Sequence, residues 1–323
     1  ISGNATLTGG EGWQGNEFTM VYDDVKELHY YTFDLKKDQT YELKAVCNDT
    51  WFGYDKLGAY YAEVTNKDGG IQVKLTADAS VTVWFDYKTS MITFEGLTIK
   101  TFKDITFTIT ATSTPKIYWW NGGDKLAAAN WETRPEMIPT ANPNEYTYTL
   151  KDVDESTGVE YLITIGTLQT ADQSTKTDVV ADFKDLLPLI SIYGIVDWNA
   201  ANAIHLTIAD DYATATANIE VAAETTYEFK VNIGDKWLGN KSTMTSDNCT
   251  GWTFAEKDGE EVMPNAGITT TIAGEYTFTW NVADNKLSVT YPTLPTPDYT
   301  RTVTPGNFGT ICLPNGGTMV GAS

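Results

Sequence analysis

Short runs in which apolar and polar residues alternate, broken by Gly, Asn and Asp, recur along the chain. Tyr276, Phe278, Trp280 and Val282 share one face of such a run. Ala283-Asp284-Asn285 interrupts it, and Leu287, Val289 and Tyr291 resume it. A period of two on either side of a turn predicts a β-hairpin, because successive strand side chains point to opposite faces. Tyr41, Leu43 and Ala45 alternate in the same way, as do residues 105–109, 145–150 and 160–165, and 117–120 reads as a further strand. Helical periodicity is almost absent. One helical turn is expected within 179–189, before Pro188, and the polar stretch 172–182 is expected to be a loop.

The pattern repeats. Tyr41-Glu42-Leu43-Lys44 followed by Trp51-Phe52-Gly53 returns as Tyr227-Glu228-Phe229-Lys230 followed by Trp237-Leu238-Gly239, at a constant offset of 186 residues. Gly12-Trp13 upstream of the first copy matches Asp197-Trp198 upstream of the second. Downstream, Val81 to Asp86 matches Tyr276 to Asn281, and Met91 to Phe94 matches Lys286 to Val289. Two copies of one module are therefore expected, over 1–98 and 187–293, with a shorter one at 103–184 between them. Each has the size and strand spacing of a β-sandwich. The fold class is all-β: three tandem β-sandwich (Ig-like) modules. Residues 292–297 hold three Pro and form an extended linker. The stretch 294–323 is expected to be that linker and the start of a further domain, which makes the chain a piece of a longer protein. Its start at Ile1, not Met, is expected of a processed or trimmed chain.

Composition narrows the function. The formal charge of -21 opposes phosphate backbones and anionic membranes, so nucleic acid is excluded as a partner and a neutral ligand is favoured. No run of about 18 apolar residues exists to span a membrane. Cys47, Cys249 and Cys312 form no CxxC and are odd in number, which signals neither zinc nor a disulfide framework. No cofactor is implied. Catalysis has little support: there is no HExxH, GxSxG or P-loop, and His29 and His205 read as structural or surface residues. The acidic stretches Asp152-Val153-Asp154-Glu155 and Asp210-Asp211 lack the spacing of a calcium loop and read as solvated faces.

The middle module resembles carbohydrate-binding module family 26, a starch-binding family. The resemblance is carried by Ile117-Tyr118-Trp119-Trp120-Asn121, Asn130-Trp131 with Met137 after it, Tyr146-Thr147-Tyr148, and Ile163-Thr164-Ile165-Gly166 followed by Gln169-Thr170-Ala171-Asp172. The family's usual Trp-Pro-Gly stands here as Trp131-Glu132-Thr133. The flanking modules resemble the β-sandwich modules of starch-utilisation outer-membrane lipoproteins of Bacteroidetes, through the Gly12-Trp13 and Asp197-Trp198 loops and the Tyr-Glu-Leu/Phe-Lys strand with its following Trp. These resemblances imply a non-enzymatic protein that binds starch or malto-oligosaccharide. They place it in the secreted fraction or on an outer-membrane surface, beside other starch-utilisation proteins. A monomer is expected.

The C–H faces of glucose stack on aromatic rings, and its rim hydroxyls seek amides, carboxylates or Lys. Trp120 and Trp131 are the expected platforms of the middle module, with Gln169 and Asp172 as hydroxyl partners. Trp119 is the alternative to Trp120, since alternation lets only one of the pair face a ligand, and core packing is its competing role. Trp13 and Trp198, in loops, and Trp51 and Trp237, on strands, are the platforms expected of the flanking modules. Lys44 and Lys230 accompany them, against the plainer roles of core packing for the strand Trp and a solvated strand edge for the Lys. Trp252 is a further ligand contact expected of the last module alone. Phe85 and Trp280 read as core. The competing functions are an Ig-like structural spacer or adhesion array, or the accessory region of a secreted amylase.

Overall fold

The computed structural model describes residues 1–245 and 249–292. The linker and further domain expected over 294–323 lie outside the described residues, as does Cys312.

The first module holds β1 (Ser2–Gly3), α1 (Ala5–Thr8), β2 (Val21–Asp23), β3 (Leu28–Leu35), β4 (Thr40–Cys47), β5 (Thr50–Phe52), β6 (Val64–Lys67), β7 (Gly70–Lys74), β8 (Ala79–Asp86) and β9 (Met91–Glu95). Sheet β1-β4-β7-β6, with β5 on β4, packs against sheet β2-β3-β8-β9. The middle module holds β10 (Phe102–Thr110), β11 (Lys116–Trp120), β12 (Ile138–Pro139), β13 (Glu145–Asp154), β14 (Val159–Ile165), β15 (Leu168–Gln169), β16 (Gln173–Thr175) and β17 (Val179–Asp182). Its sheets are β12-β13-β10-β17 and β11-β14-β15, with β16 also on β14. After α2 (Phe183–Leu186), the third module holds β18 (Ile190–Tyr193), β19 (Ile204–His205), β20 (Thr207–Ile208), β21 (Thr214–Val221), β22 (Thr225–Ile233), β23 (Lys236–Leu238), β24 (Thr243–Met244) and β25 (Trp252–Thr253). It continues with the small hairpin β26 (Lys257–Asp258) and β27 (Glu261–Val262), then β28 (Ala266–Thr270), β29 (Gly274–Asn281) and β30 (Lys286–Thr290). Sheet β19-β18-β22-β28-β24, with β23 on β22, faces β20-β21-β29-β30-β25.

The alternation read from the sequence sets which faces meet. Tyr41, Leu43 and Ala45 of β4 are buried, as are Phe278 and Trp280 of β29, and Phe85 of β8 lies in the first core as expected. Outward threonines pair across strands, Thr32 with Thr82, Thr106 with Thr149 and Thr226 with Thr269, which stabilises the solvated faces. The repeat is visible in detail. The Tyr41 hydroxyl accepts the Lys36 N–H at 2.9 Å, and the Tyr227 hydroxyl accepts the Ala222 N–H at 3.0 Å, each from five residues back. The helical turn expected before Pro188 is α2, capped by the Asp182 carboxylate. The stretch 172–182 departs from expectation. It forms β16 and β17, and β17 pairs parallel with β10. A polar, three- or four-residue strand at a sheet edge buries too little to show a period in the sequence.

Each module has its own core, and the cores of the second and third are joined. Tyr212, from the turn between β20 and β21, is buried in the middle module's core against Phe183.

Candidate functional site

Outward residues of β4 include Glu42, Lys44 and Val46, since Leu43 and Ala45 face the core. The two-residue turn Asn48-Asp49 has positive φ at both positions, the geometry favoured by a tight hairpin, and sets β5 so that Trp51 pairs with Val46 on the outward face. The loop after α1 folds back over β1. Trp13 donates its N–H to the Gly3 carbonyl at 2.8 Å, and Gly15 donates to the Ser2 hydroxyl at 3.2 Å. Trp13 takes φ 54°, a conformation strained for a bulky side chain, and the loop's contacts hold it there. The result is two indole rings 6.2 Å apart and inclined by 45°, 39% and 42% exposed, with half-buried Lys44 on the same face. Glu17 anchors this loop by accepting the Gln14 N–H at 2.7 Å. Burial alone would raise the Glu17 carboxyl pKa. The Gln14 N–H and the neighbouring polar groups of Ser2 and Gly15 outweigh that and hold it below its ordinary value.

The third module presents a corresponding face, with Trp237 and Lys230 at the places of Trp51 and Lys44. The turn Gly234-Asp235 brings Trp237 opposite Asn232, and β18 brings Tyr193 opposite Lys230. The Tyr193 and Trp237 rings lie 4.7 Å apart at 57°. Trp198, half exposed, rises from a loop closed by the Gly194 N–H on the Asp197 carbonyl at 2.8 Å. The Asp197 carboxylate accepts from the Asn199 N–H and the Asn202 amide. Glycine is needed where β18 enters this loop. A β-carbon on Gly194 would stand 2.2 Å from the Glu228 carbonyl and 2.8 Å from the Trp198 ring. One on Gly3 would stand 2.5 Å from the equivalent Glu42 carbonyl.

In the middle module β11 turns Tyr118 and Trp120 outward, their rings 5.4 Å apart at 33°. Trp131 comes from the loop after β11 and meets Tyr118 edge-on at 5.1 Å. The Arg134 guanidinium covers one Trp131 face at 4.1 Å and is itself fixed by hydrogen bonds to the Trp131 carbonyl and the Thr164 hydroxyl. Across the sheet, Trp120 pairs with Glu160 and Glu160 with Ser174. Trp120, Glu160, Asp172 and Ser174 line a groove of about 310 Å³. Gln169, on the short β15 and exposed, pairs with Thr164 on the same face.

Nine of the expected residues therefore gather on three outward faces: Trp13, Lys44 and Trp51; Trp120, Trp131, Gln169 and Asp172; Trp237 and Lys230. Trp198 stands in the loop beside the third face. Two do not join them. Trp119 points the other way, packs on the middle core beside Tyr148, and donates its indole N–H to the Ala127 carbonyl at 2.9 Å. Trp252 is only 9% exposed and belongs to the third core, because β25 pairs it with buried Leu287. Its approach, Thr250-Gly251, reads as a surface loop, but the strand it enters closes the sandwich. Tyr118 and Tyr193 join these faces although the sequence does not single them out. Their only signal is position, outward by alternation from a buried neighbour, Ile117 or Ile192.

Among the described residues no group of three or more His, Cys, Asp or Glu is placed to hold a metal, and no helix is long and apolar enough to cross a membrane. The His205 imidazole shares a hydrogen bond of 2.8 Å with the buried Ser191 hydroxyl, a structural role within sheet β19-β18. No family model, no curated protein and no solved structure matches the chain.

Proposed function

We propose that this chain is a non-catalytic, multivalent binder of starch-like α-glucan at a cell surface or in a secreted assembly. The observation that carries the reading is the recurrence of one arrangement. A partly exposed indole on the face of a Lys, Trp51 with Lys44 and Trp237 with Lys230, stands at equivalent places in both copies of the repeat; a second ring is inclined against it in each, Trp13 in one and Tyr193 in the other, and the middle sheet presents a further aromatic pair. Leaving five indoles more than a third exposed is costly unless something covers them. Rings tilted against one another suit a ligand that curves, which a flat crystalline polysaccharide does not. The amide, carboxylate and ammonium groups around them suit hydroxyls, and the acidic chain suits a neutral polymer.

Single sites of this kind are shallow and weak. Three on one polymer raise overall affinity by about 10²–10⁴ through linkage alone. Electrophoresis through a gel containing amylopectin tests the reading: retardation relative to a non-binding control is expected, and unretarded migration overturns it. A second reading, a structural spacer, is favoured by the packed joint at Tyr212. Indole fluorescence separates the two, since maltoheptaose shifts emission only where exposed Trp residues bind it.

A further inference from the structure

The groove under Trp120 continues beyond the middle module. Asp172 lines both that groove and a second of about 510 Å³, which reaches Pro188, Ile233 and Lys236 of the third module. Gln169 and Lys236 also line a third space of about 460 Å³ in the joint. These volumes fall in the range of small-ligand sites. The walls are fixed relative to one another. Tyr212 of the third module is buried in the middle core and its hydroxyl accepts the Thr112 N–H at 3.3 Å. Lys184 binds Asp210 at 2.7 Å, Ala171 donates to the Leu186 carbonyl at 3.0 Å, and Gly234 donates to the Leu189 carbonyl at 3.2 Å.

The chemistry of the joint matches that of the platform it extends. Pro188 and Ile233 give an apolar floor, and the exposed Gln169, Asp172 and Lys236 side chains give an amide, a carboxylate and an ammonium along it. Such a surface takes a neutral, hydroxyl-rich chain with apolar faces. Building on the function proposed above, we propose that one α-glucan chain occupies both modules. It leaves the Trp120 platform past Asp172 and reaches the Lys236 ammonium, so that the middle site is completed by the third module. A short oligosaccharide fills only the Trp120 end, and a longer one spans the joint.

Lysine footprinting of the full chain tests this. Acylation by an N-hydroxysuccinimide ester is followed by mass spectrometry, alone and with saturating maltotriose or maltoheptaose. Maltoheptaose is expected to slow acylation of Lys236 at least about three-fold, and maltotriose to leave it unchanged. Trp120→Ala is expected to abolish the protection of Lys236 while that of Lys230, on the third module's own face, persists. Asp172→Ala, at an exposed position, repeats the test independently of how Trp120→Ala folds. Protection of Lys44 and Lys230 without Lys236 overturns the composite site and leaves the glucan reading standing. Protection of Lys236 that survives both variants shows a groove filled from the third module alone and also overturns it. If no lysine is protected, the glucan reading itself falls.

Discussion

Trp51 and Trp237 occupy one position in two copies of a fold, each held outward by a two-residue turn that pairs it with the residue five places earlier, Val46 and Asn232. Register decides this outcome. A slip of one residue in either hairpin would send the indole into the core and its neighbour out. The two turns reach the same register with different residues, Asn48-Asp49 and Gly234-Asp235. The outward indole is therefore what the two copies share, whatever turn delivers it.

Removing these rings should separate binding from folding. Trp51→Ala and Trp237→Ala each take away a partly exposed ring, so stability should change by no more than about 0.5 kcal/mol. Loss of one aromatic contact is worth about 0.5–1.5 kcal/mol, up to roughly ten-fold in affinity at that site. The double variant should lose retention on amylopectin by more than the sum of the two, because linkage is lost with each site. Calorimetric titration with maltoheptaose and thermal melts check both halves.

Trp131 and Trp252 make a contrasting pair. Trp131 stands 38% exposed between Tyr118 and Arg134, and Trp131→Ala should weaken glucan binding while costing about 1 kcal/mol or less of stability. Trp252 is sealed in the third core, and Trp252→Ala should cost about 3–5 kcal/mol without a direct effect on any aromatic face. Chemical denaturation of the two variants tests this. A stable Trp252→Ala protein would contradict its place in the core.

Much of this arrangement is legible in the sequence. The offset of 186 residues aligns Lys44 with Lys230 and Trp51 with Trp237, and alternation separates Trp119 from Trp120. What the sequence hides is contact between distant segments. Trp13 meets Trp51 only because its loop returns over Gly3, and Gly3 corresponds to Gly194 at a different offset, since the loops that follow differ in length. Tyr193 has the small Ser2 as its counterpart opposite Lys44, so no repeat marks it. Trp252 misleads for a related reason. A two-residue strand has no period, and its burial depends on Leu287, far along the chain.

The first face should weaken in acid. The Glu17 carboxyl pKa is lowered in the folded protein, so its contribution is complete above its ordinary value of 4.5 and is lost as pH falls through the lower folded value. Protonation removes the charge that the Gln14 N–H stabilises and loosens the loop that holds Trp13 in its strained conformation. In a Trp131→Ala, Trp237→Ala chain, maltoheptaose affinity should therefore hold above pH 4.5 and drop as the pH falls below it. Glu17→Gln should show part of that drop already at neutral pH and flatten the profile. A profile unchanged by Glu17→Gln would mean that the carboxylate does not hold the loop.

The joint between the second and third modules should unfold with the middle core. Tyr212 takes φ 62°, a strained backbone for an aromatic residue, yet its ring is buried against Phe183 in a core otherwise built from the middle module. Tyr212→Ala leaves a cavity there, at a cost of about 3–5 kcal/mol, and cuts the main apolar link between the two modules. Lys184→Ala, by contrast, removes an exposed pair with Asp210 and should cost less than about 1 kcal/mol. In calorimetry the two modules of the parent chain should melt together. In Tyr212→Ala the middle module should melt earlier, as a separate transition, while the third, whose own core is untouched, keeps its melting temperature. A single unshifted transition in Tyr212→Ala would show that the ring does not couple the modules.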